Sequence, residues 1–280
     1  DGIFRVAVPV FFIINGYYFY SALDNGTQIL WIKKVFSLYF VWMVLYSSFW
    51  LSIPDASILG LLKLSIQIAV GYYHLWYLPA MIGASLMVMM LHKVRTSYVI
   101  TLIAITFIVG VLIQYVGNYH LLPESLFDKV FNTSWVHRNF LFLSFPFFCI
   151  GYLINKHSIK YVVSTKALLL GVLLLCVESY VNYMHPLRDG GFDNYFSLII
   201  VCPLIFMFFI NKQVGGDSKN IALYSSAIYF THYFVLTALK GGTELCETSL
   251  TVVTIIISVA VSWLVIRIIL IVLDSIASAL

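Results

Sequence analysis

The chain has 280 residues, 61% hydrophobic and only 10% charged, with a mean hydropathy of +0.96 and a formal net charge of +4. Soluble domains carry roughly 25% charged residues, so this composition cannot clothe a water-facing surface and excludes a soluble enzyme or binding module. The basic residues are scattered between apolar runs, a pattern that sets membrane orientation and offers no basic patch for nucleic acid.

A helix needs about 20 apolar residues to cross hydrocarbon. In chain order the runs are Phe4–Ser21, Val35–Ile53, Leu75–Leu91, Tyr98–Val116, Phe140–Ile154, Ala167–Tyr183, Tyr195–Ile210, Ile221–Leu239 and Leu250–Leu273. In lipid each backbone polar group must find its partner within the protein, and runs this long and uniform suit helices rather than barrel strands. The expected fold class is therefore all-α, a polytopic transmembrane helix bundle with nine spans. Cys149, Cys176, Cys202 and Cys246 have neither CxxC nor other metal-ligand spacing, so no metal and no disulfide are expected.

Ser57–Gly71 is apolar but short, with Gly60, Lys63 and Gln67 along one face. It either spans or lies in the interface, and charge decides between the two. Without it as a span, nine basic residues, beginning with Lys33, Lys34, Lys93 and Arg95, fall on one side and five on the other. With it as a span, the bias vanishes. The positive-inside rule therefore favours nine spans, with Lys33 and Lys34 cytoplasmic, Asp1 outside and Leu280 inside. A first residue outside, with no signal peptide before it, predicts one earlier helix. Residues 1–280 then form a single membrane domain, incomplete at its N-terminus, and the full count is ten.

Ionisable groups inside a bilayer cost at least roughly 2.5–3.5 kcal/mol on insertion scales, so each needs a reason. Arg5 and His74 open their helices at the outer face, Glu178 lies in the outer half of its run, and His232 lies near mid-depth. Convergence of such groups between helices marks a site. The alternative is that Arg5 and His74 snorkel to the interface while Glu178 and His232 make buried hydrogen bonds. Arg267, in the inner half of the last run, suits snorkelling toward cytoplasmic phosphates. Trp76-Tyr77 beside His74 is either part of an aromatic belt or a stacking surface for a sugar.

Four segments carry a resemblance. Phe4 to Tyr20 reads FRVAVPVFFIINGYYFY, with Arg5, Val8-Pro9, Phe11-Phe12 and Asn15-Gly16-Tyr17. Tyr72 to Leu86 holds HLWYLP, Phe142 to Ile154 holds FPFFCIGY, and Ile228 to Leu236 holds Tyr229-Phe-Thr-His232. In this order they resemble the acyltransferase-3 family of integral membrane acyltransferases. Asn15 stands where that family usually has a hydroxyl residue. The family's first helix, with an Arg and the His favoured as catalytic base, would precede Asp1.

The resemblance implies transfer of an acyl group, acetyl above all, from cytoplasmic acyl-CoA to a hydroxyl of a sugar, lipid-linked glycan or other cell-envelope acceptor. It implies a ten-span fold in a bacterial inner membrane. Such chemistry needs a base, oxyanion donors, a basic inner mouth for CoA phosphates and a polar outer chamber. The inner mouth is expected at Lys33, Lys34 and Arg267. The outer chamber is expected at Arg5, Asn15, Trp76 and Tyr77, with His74, His232 and Glu178 in assisting catalytic roles; Glu178 is expected to pair with a basic or hydroxyl group, Arg5 being the best candidate by charge. A membrane sensing or transport module without acyl transfer is the alternative.

Overall fold

The computed structural model describes residues 2–51, 57–186, 188–212, 218–242 and 246–279. Among these residues all regular structure is helical, with no strand. It divides into two compact units, residues 1–213 and 214–280.

In the first unit a 3-10 turn, Gly2–Val6, leads into α1 (Ala7–Asp24), followed by α2 (Gln28–Leu45), α3 (Ser47–Trp50) and α4 (Ile58–Val70). A second 3-10 turn, Tyr73–Trp76, opens α5 (Tyr77–Leu91), which is followed by α6 (Thr96–Asn118) and the short α7 (Leu126–Phe131) and α8 (Ser134–His137). A π-turn, Phe140–Ser144, enters α9 (Phe145–Lys156), and α10 (Thr165–Met184) and α11 (Leu198–Ile210) complete the unit. The second unit is α12 (Ser218–Gly242) packed on α13 (Glu247–Ala279), where the buried hydroxyls of Thr231 and Ser262 stand 3.0 Å apart.

Seven stretches among the described residues are long and apolar enough to cross a membrane: Gly2–Asp24, Gln28–Leu45, Tyr73–Leu91, Thr96–Asn118, Thr165–Met184, Asn220–Gly241 and Glu247–Arg267. Phe140–Lys156 and Leu198–Ile210, two of the nine expected spans, are apolar but shorter, as is Ile58–Val70. The count of nine therefore requires both shorter helices to cross as well, and it belongs to the proposal below.

One boundary differs from the sequence expectation. The second helix begins at Gln28, not Val35, so Lys33 and Lys34 lie in its early turns rather than in a loop. Both are exposed. A lysine lays its aliphatic stem along an apolar helix and lifts only its ammonium to water, so it does not end the helix. The break comes earlier, at Asn25–Gly26–Thr27, where Gly26 takes φ +71°, a conformation glycine adopts without cost. The expected end of that run, Ile53, lies outside the described residues.

The core of the first unit is α9. Phe145, Phe147, Phe148, Cys149, Tyr152, Leu153 and Ile154 are all buried, against α1 on one side and α5 and α6 on others. The α1–α9 crossing is backbone on backbone. A Cβ placed on Gly16 would stand 1.8 Å from the Phe148 carbonyl oxygen, and one on Gly151 would stand 1.9 Å from that of Ile13. Helices in lipid gain little from apolar burial and associate through such close approach of small residues. Asn155 fastens the far end by donating Nδ2 to the Tyr17 carbonyl at 2.7 Å.

Candidate functional site

The site is built on a loop, residues 188–197, that has no regular structure of its own. Non-helical backbone beside membrane helices needs partners for its N–H and C=O groups. Three side chains of flanking helices supply them. Gln114 of α6 accepts from the Asp193 and Asn194 N–H groups at 2.9 and 3.0 Å and donates to the Asn194 carbonyl at 2.9 Å. Asn118, one turn on, donates to the Gly191 carbonyl at 3.2 Å. Glu178 of α10 accepts from the Phe196 and Ser197 N–H groups at 2.6 and 2.7 Å and from the Tyr115 hydroxyl at 2.7 Å. Residues 196 and 197 immediately precede α11, where free N–H groups and the helix dipole favour a carboxylate.

Held this way, the loop presents Asp193. Its carboxylate pairs with Arg5, stands 3.5 Å from the Arg138 guanidinium and lies 4.0 Å from His137 Nε2. Arg138 also lies over the Trp76 ring, 4.8 Å from its centre. Trp76 meets Phe12 edge-on at 6.1 Å, Phe12 stacks on Tyr77 at 4.6 Å, and Asn15 donates to the Tyr77 hydroxyl at 2.8 Å. A continuous chain of contacts thus joins Asn15, Tyr77, Phe12, Trp76, Arg138, Asp193 and Arg5. Two guanidinium groups thus meet on one carboxylate beside an aromatic face.

The corner carrying His137 and Arg138 is set by Asn139, whose side-chain oxygen accepts from the Leu141 and Phe142 N–H groups at 2.9 and 3.0 Å and so caps the π-turn. His137 is buried, and its removal from water pushes its pKa down to about 4. Asp193 opposes that shift, and Arg138 adds to it. At neutral pH the imidazole is therefore uncharged, and the positive charge around Asp193 comes from the two arginines.

Arg5, Asn15, Trp76 and Tyr77 thus belong to one chain of contacts. Of the two kinds of partner expected for Glu178, the structure supplies the hydroxyl, that of Tyr115, and not Arg5: the carboxylate that meets Arg5 is Asp193, while Glu178 also anchors the backbone of the loop that carries it. The reason is geometric, since free N–H groups at a helix start lie within reach of Glu178 on the neighbouring helix. His74 is buried in the turn before α5, edge-on to Tyr46 at 5.1 Å. His232, in the second unit, faces carbonyls of its own helix, with Nδ1 2.6 Å from Tyr229 O. Arg267, also in the second unit, is exposed and lies over the Trp263 ring at 5.5 Å. Sequence reading missed His137, Arg138 and Asp193 as site residues. The one signal was two basic side chains, His137-Arg138, directly before an apolar run.

A second polar cluster lies on the loops of the same unit. His120 Nδ1 is 2.8 Å from Asp128 and its Nε2 is 3.5 Å from Asp189, which also accepts from Asn132 at 3.0 Å. The hydrogen bond to Asp128 raises the His120 pKa above its ordinary value of 6.5. A raised histidine pKa stabilises the fold fully below the unfolded pKa and ceases to do so as pH rises through the folded one. The difference in Tm between wild type and His120→Gln should therefore be largest below about pH 6.5 and shrink at higher pH. A difference independent of pH would show that the ion pairs contribute nothing.

A sequence profile of the acyltransferase-3 family, described as an acyltransferase domain, matches residues 2–267. An amino-acid racemase of Enterococcus faecalis is 26% identical over a match covering 84% of this chain and 36% of that protein. A serine/alanine racemase of Enterococcus gallinarum is 29% identical over the same shares. The chain thus spans about a third of the length of these curated relatives. No solved structure matches. Because the profile runs through nearly the whole chain, from the Arg5 segment through α12 and into α13, the chain belongs to the acyltransferase-3 family.

Proposed function

We propose that the chain is a membrane acyltransferase that moves an acyl group, acetyl in the first instance, from cytoplasmic acyl-CoA to a hydroxyl of a sugar or other cell-envelope acceptor. It works in a bacterial inner membrane with nine spans in this chain, Asp1 outside and Leu280 cytoplasmic. The observation that carries the reading is the Arg5–Asp193–Arg138 cluster beside Trp76. An acyl transfer develops negative charge on the carbonyl oxygen, and fixed guanidinium N–H groups in a water-poor site stabilise it. Asp193 holds both guanidinium groups in place, and Trp76 offers a flat face for a sugar ring. Glu178 acts one step back, by fixing the loop. His74 assists, and Lys33 and Lys34 receive CoA phosphates at the opposite mouth.

Membranes containing the full-length protein and acetyl-CoA labelled in its acyl group are expected to accumulate label as an alkali-labile ester on an envelope component. Arg5→Ala and Arg138→Ala should each abolish that label at equal expression. The kinship with amino-acid racemases favours one other reading, a membrane module that binds or moves an amino acid. Protein-dependent uptake of serine or alanine into vesicles, with no esterification in the same membranes, would replace the first reading with the second.

A further inference from the structure

Most of the loop that carries Asp193 is held by Gln114, Asn118 and Glu178. Its start is held differently. Asp189 donates its N–H to the Asn118 carbonyl at 2.9 Å, accepts from Asn132 at 3.0 Å and faces the imidazole of His120. His120 stands between two carboxylates, with Nδ1 2.8 Å from Asp128 and Nε2 3.5 Å from Asp189. An imidazolium donates from both nitrogens, whereas a neutral imidazole has one N–H and turns a lone pair toward the other carboxylate. Proton loss therefore breaks one of the two contacts. The weaker is that to Asp189, which is longer and reaches a side chain 62% exposed, against 14% for Asp128. α7, which carries Asp128, rests tightly on α6: a Cβ on Gly117 would stand 2.4 Å from the Phe131 carbonyl carbon and 2.6 Å from the Asn132 nitrogen. The loop has more freedom. Gly190, with φ +73°, follows Asp189, and a Cβ on it would meet nothing within 4 Å. Arg5 lies against this stretch, its Nη2 3.3 Å from where a Gly191 Cβ would stand, and Asp193 is two residues further on.

We propose that His120 is a positioning residue for the site, a proton-dependent latch that pins the start of the 188–197 loop when charged and releases Asp189 when neutral. The latch touches no reacting atom. It acts through the loop on Asp193 and Arg5. Asp128 of α7 and Asp189 of the loop are the charged groups among the described residues that act on the titration of His120. Glu124, Lys129 and Arg188, near these three in sequence, form no ion pair with any of them. On α6, the positions that face the loop are the uncharged Gln114 and Asn118. The hydrogen bond to Asp128 raises the His120 pKa above 6.5, so the latch is closed in acid and opens as pH rises through that raised value. Asn132 and the Asn118 carbonyl keep Asp189 tethered in both states, so opening loosens the loop without unfolding it. The effect on acyl transfer rests on the proposed function, and the effect on the loop does not.

The test uses the full-length protein in detergent, between about pH 5.5 and about pH 8.5, which brackets the ordinary histidine value. Amide hydrogen exchange of residues 188–197, read as protection factors, reports the loop, and ester formation from labelled acetyl-CoA reports transfer. In the wild type both should fall at least about fivefold across that range, the low end of coupling between separate sites. His120→Gln, neutral throughout, should lack the step and stay at the wild-type high-pH level. His120→Lys, charged throughout, should lack it and stay at the low-pH level. Asp189→Asn, which leaves the ring of His120 in place, should match His120→Gln, and Asn132→Ala, which removes the neutral tether, should enlarge the step. A protection step of equal size in wild type and His120→Gln would overturn the latch, and so would a step shared equally by α9, which would be a loss of the whole fold. Protection that follows His120 in a protein that forms no ester would leave the latch and remove the transfer reading. Ester formation with one pH profile in wild type, His120→Gln and His120→Lys would do the reverse.

Discussion

Asp193→Ala should lower acyl transfer by the full-length protein at least about a hundredfold, the scale on which a displacement of about 1 Å at a reacting group acts. The carboxylate is the common partner of Arg5 and Arg138. Its loss leaves the two guanidinium groups without the carboxylate that joins them. Breaking a buried ion pair from one side costs about 3–5 kcal/mol. The two arginine side chains are about 30% exposed, so solvent screening brings the stability cost toward the low end of that range or beneath it. Activity should therefore fall further than stability. Asp193→Asn keeps the shape and removes the charge, and it should retain a folded bundle with transfer still strongly reduced. Labelled acetyl-CoA turnover together with Tm measures both. Transfer by Asp193→Asn at half the wild-type rate or better would sink the role assigned to the carboxylate.

The second large effect lies in the bundle core. Gly151→Ala should prevent α1 and α9 from closing and sharply reduce the yield of folded protein. Overpacking a core costs about 1–3 kcal/mol when side chains can give way. Here nothing flexible is in the path, because the new methyl would meet the Ile13 carbonyl oxygen at 1.9 Å and the Tyr17 amide nitrogen at 2.9 Å. Gly16→Ala should behave alike, since its methyl would stand 1.8 Å from the Phe148 carbonyl. Gly241→Ala in α12, with nothing within 4 Å, is the control and should be neutral or slightly stabilising. Detergent-solubilised yield and Tm decide it, and a Gly151→Ala protein with wild-type Tm would contradict the crossing.

The helices were legible because hydropathy reports them directly, and the runs containing Gly16 and Gly151 could be placed on helices from sequence. Their contact could not, since it depends on two distant segments meeting face to face. The same holds at the site. Arg5 and Trp76 stood out because a charge or an indole in an apolar run carries a cost or a surface preference. Asp193 did not stand out, because it lies in a polar loop and reads as one more solvated acid. Its partner Arg5 is 188 residues away. What raises Asp193 above its neighbours is the support from Gln114 and Glu178, and no local pattern encodes that. Glu178 stands out by its cost in a membrane, and a hydroxyl does meet it, that of Tyr115; charge alone favoured Arg5 as the partner, and the structure gives Arg5 to Asp193 instead.

The shortness of α9 has a consequence for the barrier itself. At about 1.5 Å per residue, Phe140–Lys156 extends about 25 Å, some ångströms less than the roughly 30 Å of hydrocarbon. If it crosses, the remaining distance falls to His137, Arg138 and Asn139, which are not apolar. Irregular, polar backbone at that depth is tolerated only where protein or water, rather than lipid, surrounds it. α9 is enclosed by its neighbours along its length, so a crossing α9 would leave the insulating layer beside Arg138 thinner than the surrounding bilayer. A charged group approaching from the Arg138 end would then meet a dielectric step that begins deeper than the headgroups. It keeps its hydration for longer, and the stretch over which it must shed water is the short stretch that the arginines command.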